Sequence, residues 1–162
     1  MPSFTSISKT GLNDDNVIFD ANEDGVQRLD QQHKVVYSAM PQLVLAFIDL
    51  AESGYRVLDH ATGSGIWLRD VRQAAGGASG TWIETIIEDS YFPKETPNDT
   101  SYHHQSMTEP WPLQWQWTFD LVHSRMALPG VGLSSLEDAV MNLVKLLKPD
   151  GWIQLVEMQW QD

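Results

Sequence analysis

The chain has 162 residues, 42% hydrophobic and 20% charged, which suits one globular domain with a substantial core. Its 22 acidic and 10 basic residues give a formal charge of −12, so nucleic acid and anionic membrane surfaces are not expected partners. The lack of cysteine excludes disulfides and thiolate metal ligands. With no signal-peptide pattern and no membrane-length apolar run, we expect a cytoplasmic protein.

The first part of the chain predicts a polar arm followed by helices. Residues 1–22 are rich in Asn, Asp and Ser, and we expect them to precede a single domain over 23–162. Helical periodicity predicts a helix over 23–33 and a second helix that follows Pro41 and ends near Gly54.

Strands and helices alternate along the rest of the chain. Stretches rich in β-branched and aromatic residues predict strands at 55–59, 81–87, 102–106, 119–124 and 152–158. Helical patterns are found at 66–75 and 136–147, and 148–151 is a predicted turn. This alternation predicts an α/β fold, a Rossmann-like doubly wound sheet that is mostly parallel.

The stretch Asp59-His60-Ala61-Thr62-Gly63-Ser64-Gly65 joins the first of these strands to the next helix. An acidic residue followed by small residues at such a junction is how α/β proteins seat a nucleotide-like ligand. Gly63 and Gly65 allow close approach of the backbone to a ligand because neither has a Cβ.

Ordered sequence blocks resemble class I S-adenosylmethionine-dependent methyltransferases, in the branch that modifies fungal secondary metabolites. The blocks are Glu23 to His33, the glycine loop, Phe92-Pro93, Pro110-Trp111-Pro112, Phe119 to Arg125 and Leu147 to Trp152. The resemblance implies about five strands in the order 3-2-1-4-5, S-adenosylmethionine as cofactor and a small apolar natural-product substrate.

The resemblance also implies site residues. The implied cofactor-binding positions are Asp59, Ala61, Gly63, Gly65, Ile86, Glu88, Ser106 and Met107. The implied catalytic positions are His33, Arg125 and Glu157, and the candidate substrate pocket is Trp111, Trp115, His123 and Met126. The tryptophans are equally consistent with a packed lid or an interface. No metal site is expected, since His103 and His104 are adjacent on a predicted strand and point to opposite faces.

The sequence departs from the family pattern at three places. Ala61 replaces the first loop glycine, which costs about 1 kcal/mol if the backbone there needs a positive φ. Ile86 stands where the family has an acid that binds the cofactor ribose, although Glu84 and Glu88 share its strand face. The family's last two strands have no counterpart before Asp162, which predicts a bare apolar edge at 152–158.

Three functions are consistent with this pattern. The departures favour a protein that has lost methyl transfer and catalyses a cyclisation or pericyclic step, or a non-catalytic subunit of an oligomer. The alternative is an active methyltransferase that acts on a small molecule by positioning. The bare edge predicts an obligate oligomer or a partner chain.

Overall fold

A computed structural model describes residues 23–158 as a parallel five-stranded sheet in the order β3-β2-β1-β4-β5, with helices packed on it. The strands are β1 (Arg56–His60), β2 (Thr81–Ile86), β3 (Thr100–His104), β4 (Phe119–Arg125) and β5 (Leu147–Val156). The helices are α1 (Glu23–Ser38), α2 (Ile66–Ala74) and α3 (Leu136–Val144). The predicted fold class and strand order are confirmed, whereas the predicted arm over 1–22 lies outside the described residues.

Both faces of the sheet are buried because successive side chains on the central strands point in opposite directions. Val57 and Leu121 pack with Trp67 on the α2 face, and the next residues, Leu58 and Val122, pack in the core on the α3 face. These apolar pairs explain why β1 and β4 form the centre of the sheet. Within residues 23–158, no helix is long and apolar enough to span a membrane.

The predicted helix after Pro41 is wrong. This segment is irregular, and its backbone groups bond to side chains from distant parts of the chain. The Gln154 side chain accepts a hydrogen bond from the Leu45 amide at 2.7 Å and donates one to the Leu43 carbonyl at 3.0 Å. Trp67 Nε1 donates to the same carbonyl at 3.2 Å. These contacts stabilise an extended course over the sheet where apolar periodicity alone favours a helix.

The predicted turn at 148–151 lies inside β5 and forms a bulge. Phe119 pairs with Leu147 while Leu121 pairs with Trp152, so the extra residues of β5 loop out between these pairs. Asp150 within this bulge has a positive φ of +67°. The strand therefore begins five residues before the predicted start and ends at Val156. Similarly, β3 begins at Thr100, two residues before its predicted start, and α1 continues past residue 33 to Ser38.

Candidate functional site

A cleft of about 210 Å³ opens at the carboxyl ends of the central strands, the edge where open α/β sheets bind ligands. Its lining comes from 60–64 after β1, 86–88 after β2, 106–107 after β3 and 125–127 after β4, with α1 on the remaining side. The predicted site residues that line it are Ala61, Gly63, Ile86, Glu88, Ser106, Met107, Arg125 and Met126. Those outside the lining are His33, Asp59, Gly65, Trp111, Trp115, His123 and Glu157.

The loop at the cleft floor has a left-handed backbone at three alternate residues. Ala61, Gly63 and Gly65 have φ values of +56°, +60° and +71°. A Cβ on Gly63 would lie 3.1 Å from Leu29 Cδ1 in α1, and one on Gly65 would lie 2.7 Å from Glu84 Oε2. Both glycines are therefore favoured by φ, and at Gly65 the buried Glu84 carboxyl also leaves no room for a side chain. Ala61 takes the strained conformation that makes its replacement of glycine costly.

Polar side chains lie beneath this loop in one register across the whole sheet. Tyr102, Glu84, Asp59, His123 and Gln154 are consecutive Cα partners on β3, β2, β1, β4 and β5. Four of these residues are buried, at 6% exposure or less. Buried polar groups need hydrogen-bond partners.

The loop residue Thr62 bridges the two carboxyl groups of this row. Its hydroxyl oxygen is 2.7 Å from Asp59 Oδ2 and 2.6 Å from Glu84 Oε2. A hydroxyl has one proton, so it can donate to only one carboxylate, and the other carboxyl must be protonated and donate to it. Burial, and then the charge of Asp59, raises the pKa of Glu84 to about 7. Glu84 is therefore the protonated partner below that pH.

Asp59 is held by two donors and does not reach the cleft. His123 Nδ1 donates to Asp59 Oδ1 at 2.7 Å, and Thr62 donates to the other oxygen. The His123 ring stacks on Trp67 at 3.6 Å between centroids, and burial lowers the His123 pKa. Among the described residues its Nε2 has no hydrogen-bond partner. Asp59 and His123 thus act on the loop from behind rather than by touching a ligand.

The position that the resemblance assigns to a ribose-binding acid presents a hydrocarbon surface. Ile86 lines the cleft, and Glu84 on the same face instead lines a second cavity of about 240 Å³ behind the loop. Glu88 does line the cleft, and its carboxylate accepts a hydrogen bond from the Ser90 amide, capping the 3-10 turn Asp89–Tyr91. Of these two glutamates, Glu88 is therefore the one that lines the cleft, where the ribose-binding acid is predicted.

The predicted catalytic residue His33 is buried behind Arg125. Arg125 Nη1 donates to His33 Nδ1 at 2.8 Å, so the ring proton of neutral His33 is on Nε2, which donates to Asp70 Oδ2 at 3.0 Å. Burial and the charge of Arg125 lower the pKa of His33, against the opposing effect of Asp70. The structure therefore brings His33 and Arg125 together, with Arg125 at the cleft.

The third predicted catalytic residue, Glu157, supports the backbone after β4. Its Oε1 accepts hydrogen bonds from the Ala127 and Leu128 amides at 3.0 and 3.1 Å. Met126, which precedes these amides, lines the cleft in a left-handed conformation with φ +54°. Glu157 thus fixes the shape of one wall of the cleft.

The two predicted pocket tryptophans lie in the core. Trp111 and Trp115 are 6% and 7% exposed and pack in the cluster on the α3 face. Trp111 lies against the edge of His60, with 5.3 Å between ring centroids. His60 itself lines the cleft, its Nδ1 2.9 Å from the Thr85 hydroxyl, and sequence reasoning missed it. Its place directly after Asp59 was the available signal.

Within residues 23–158, no group of three or more His, Cys, Asp or Glu side chains is arranged to hold a metal ion. The adjacent histidines of β3 have separate partners. His103 Nε2 is 3.1 Å from the Ser101 hydroxyl, and His104 Nδ1 is 2.9 Å from Asp89 Oδ1.

Solved structures with this architecture define the fold as that of class I methyltransferases. A putative methyltransferase in complex with the Trm112 methyltransferase activator of Haloferax volcanii has a TM-score of 0.60 at 18% identity, covering 82% of this chain and 56% of that one. The [4+2]-cyclase SpnF has a TM-score of 0.54 at 17% identity, covering 80% and 45%. At these identities the likeness shows the fold alone.

The sequence comparisons place the chain in a family. A methyltransferase domain model matches residues 29–160, and the chain belongs to that family. The N-methyltransferase sirN of Leptosphaeria maculans is 37% identical over 152 residues, which cover 94% of this chain and 53% of sirN. The protein is thus a methyltransferase-like relative of fungal secondary-metabolism enzymes, and it spans about half the length of the curated relatives it matches.

Proposed function

We propose that the cleft binds S-adenosylmethionine and that the chain supplies the cofactor-binding part of a small-molecule methyltransferase. The observation that carries this proposal is the left-handed loop at 61–65, which forms the cleft floor at the carboxyl end of β1. A Cβ on Gly63 would contact Leu29, and a Cβ on Gly65 would contact Glu84. Such a loop lets backbone amides approach a ligand closely.

The cleft lining contains residues that could hold the cofactor. The Glu88 carboxylate would accept hydrogen bonds from the ribose hydroxyls, a role that Ile86 cannot take, and Ser106 and Met107 are further lining residues that would hold the cofactor. The loop at 61–64 would hold the amino-acid end. When bound, the cofactor supplies a methyl group on a positively charged sulfur. The residues of this chain would bind and orient the cofactor and exclude water, which lowers the reaction barrier through proximity.

The acceptor atom is proposed to be nitrogen. The relative sirN is described as an N-methyltransferase, and it is 37% identical over 94% of this chain. The acceptor would enter beside α1, where Gln32 and Arg28 line the cleft.

Calorimetric titration of the full chain with S-adenosylhomocysteine tests the proposal. We expect saturable binding with a micromolar Kd, and weaker binding in Glu88→Gln because a neutral amide accepts more weakly than a carboxylate. Glu109→Gln is the matched control, since Glu109 is outside the cleft lining. A folded protein that gives no binding heat would contradict the proposal.

A second candidate is a cleft repurposed for a cofactor-independent ring closure. Ile86 and the Ala61 methyl favour it, because both are in the lining where a ribose acceptor and a glycine would serve the cofactor better. Two unpaired ribose hydroxyls would cost on the order of 1–3 kcal/mol each. This candidate requires that S-adenosylhomocysteine does not bind and that the purified protein alone converts a polyene substrate. Conversion that depends on added cofactor would exclude it.

We also propose that the outer edge of β5 pairs with a strand of a second polypeptide. Among residues 23–158, β5 is an edge strand of the sheet, and Trp152 and Leu155 are 40% and 37% exposed. Exposed apolar edges favour pairing. Sedimentation is expected to show an oligomer or a complex at micromolar concentration. A folded monomer without a partner would refute this proposal.

A further inference from the structure

Arg125 lines the cleft and forms no direct ion pair with a carboxylate in the described part of the chain. The carboxylate of Asp59 acts on the Arg125 charge through space, without a direct contact between the two groups. The neutral ring of His33 accepts from Nη1 at 2.8 Å, which uses one of five N–H donors. In a chain with a net charge of −12, a cleft-lining arginine with no carboxylate in direct contact is a place where an anion would be attracted.

A relay from α2 fixes the direction of this guanidinium. Asp70 accepts from His33 Nε2 at 3.0 Å, which leaves the Nδ1 lone pair for Arg125. The second nitrogen of an imidazole is set by the bond that the first one makes. Asp70 and His33 therefore fix the position of Nη1 in a side chain that lines the cleft.

We propose that Arg125 binds a carboxylate inside the cleft and that Asp70 and His33 are positioning residues for it. A planar guanidinium matches a carboxylate through two parallel, charge-assisted hydrogen bonds. The source of the carboxylate rests on the proposed function, because both the amino-acid end of the cofactor and an acidic group on the acceptor carry one. The binding chemistry itself does not depend on methyl transfer.

Fluorine NMR titration of the full chain with 4-fluorobenzoate, and with neutral 4-fluorobenzamide, tests the carboxylate site. We expect saturable binding of the benzoate only, weakened on the order of 10-fold or more in Arg125→Met, since hydrogen bonds between charged groups are among the stronger ones. Lys145→Met removes an exposed cation outside the cleft lining and should bind the benzoate as the unchanged chain does. Equal binding of the two probes, or unchanged binding in Arg125→Met, would overturn the proposal.

The positioning role has its own readout, the pH dependence of benzoate binding. Protonated His33 would place an N–H against the Arg125 donor, so affinity should fall as the pH drops below about 6.5 towards the lowered pKa of His33. The charged and aromatic groups facing His33 are Asp30 and Tyr37 on α1, Asp70 on α2 and Arg125 on β4. His33→Gln should remove this fall and Asp70→Asn should move it to lower pH. An unchanged pH profile in both variants would refute the relay.

Two further ligands identify the source of the carboxylate. If it belongs to the cofactor, Arg125→Met weakens S-adenosylhomocysteine but not 5′-methylthioadenosine, which lacks the amino-acid end. If it belongs to the acceptor, both nucleosides bind unchanged and 4-fluorobenzoate still binds at saturating S-adenosylhomocysteine. Benzoate binding without any nucleoside binding would support the carboxylate site and contradict the proposed cofactor function. Arg125→Met that alters no ligand would overturn the carboxylate site.

Discussion

Replacing Ala61 with glycine tests whether residue 61 holds a left-handed backbone conformation. Ala61 has φ +56°, and a left-handed conformation costs an L-residue about 1–2 kcal/mol. Glycine removes that cost but loses about 0.4–1 kcal/mol through the greater freedom of the unfolded chain. The net expectation for Ala61→Gly is a gain of about 0.5–1 kcal/mol in the free energy of unfolding. A chain of this size would gain about 2 °C in Tm.

Urea denaturation at constant m-value measures this gain. Ala78→Gly is the matched control, because Ala78 lies in the connector after α2 and is not among the residues with positive φ. It should lose about 0.4–1 kcal/mol. The Ala61 methyl also borders the cleft, so Ala61→Gly should bind S-adenosylhomocysteine more tightly. Equal destabilisation of the two variants would refute the left-handed assignment at Ala61.

Three further results are expected. The pKa of Glu84 is raised from 4.5 to about 7 in the folded state, so the folded protein binds an extra proton between these pH values. The free energy of unfolding should therefore fall as the pH rises from 4.5 to about 7. Glu84→Gln should flatten that slope in urea titrations. Gly65→Ala should destabilise by about 2–3 kcal/mol, since strain and a 2.7 Å contact add, whereas Gly77→Ala, with open space at φ +76°, should lose about 1 kcal/mol. Gln154→Ala should lower the free energy of unfolding by about 1–3 kcal/mol and expose the segment before β1 to proteolysis. Gln73→Ala, on the exposed face of α2, should do neither. Equal proteolysis of both variants would contradict this.

The sheet was predictable because its signals are local. β-branched runs, short turns and the glycine loop each occupy a few neighbouring residues, and alternation of strand with helix restricts the topology. The strand order followed from the resemblance. The false helix after Pro41 shows the limit, since its apolar pattern is helical but its backbone is held by Gln154, 109 residues beyond Leu45.

The sequence indicated individual residues that line the cleft but not how they are arranged. His33 and Arg125 are 92 residues apart in the chain, so only the fold brings them into contact. The fold also decides that Arg125 lines the cleft while His33 is buried behind it. The same holds for Glu84 and Glu88: both share the strand face of Ile86 in the sequence, yet β2 ends at Ile86 and the chain turns, which places only Glu88 at the cleft.

A crystal structure of the full chain with S-adenosylhomocysteine tests the central claim most directly. We expect the ligand to lie in the cleft over the loop at 61–64, with its ribose hydroxyls within hydrogen-bond distance of the Glu88 carboxylate. A ribose placed against Glu84 behind the loop, or a ligand bound outside the cleft, would contradict it.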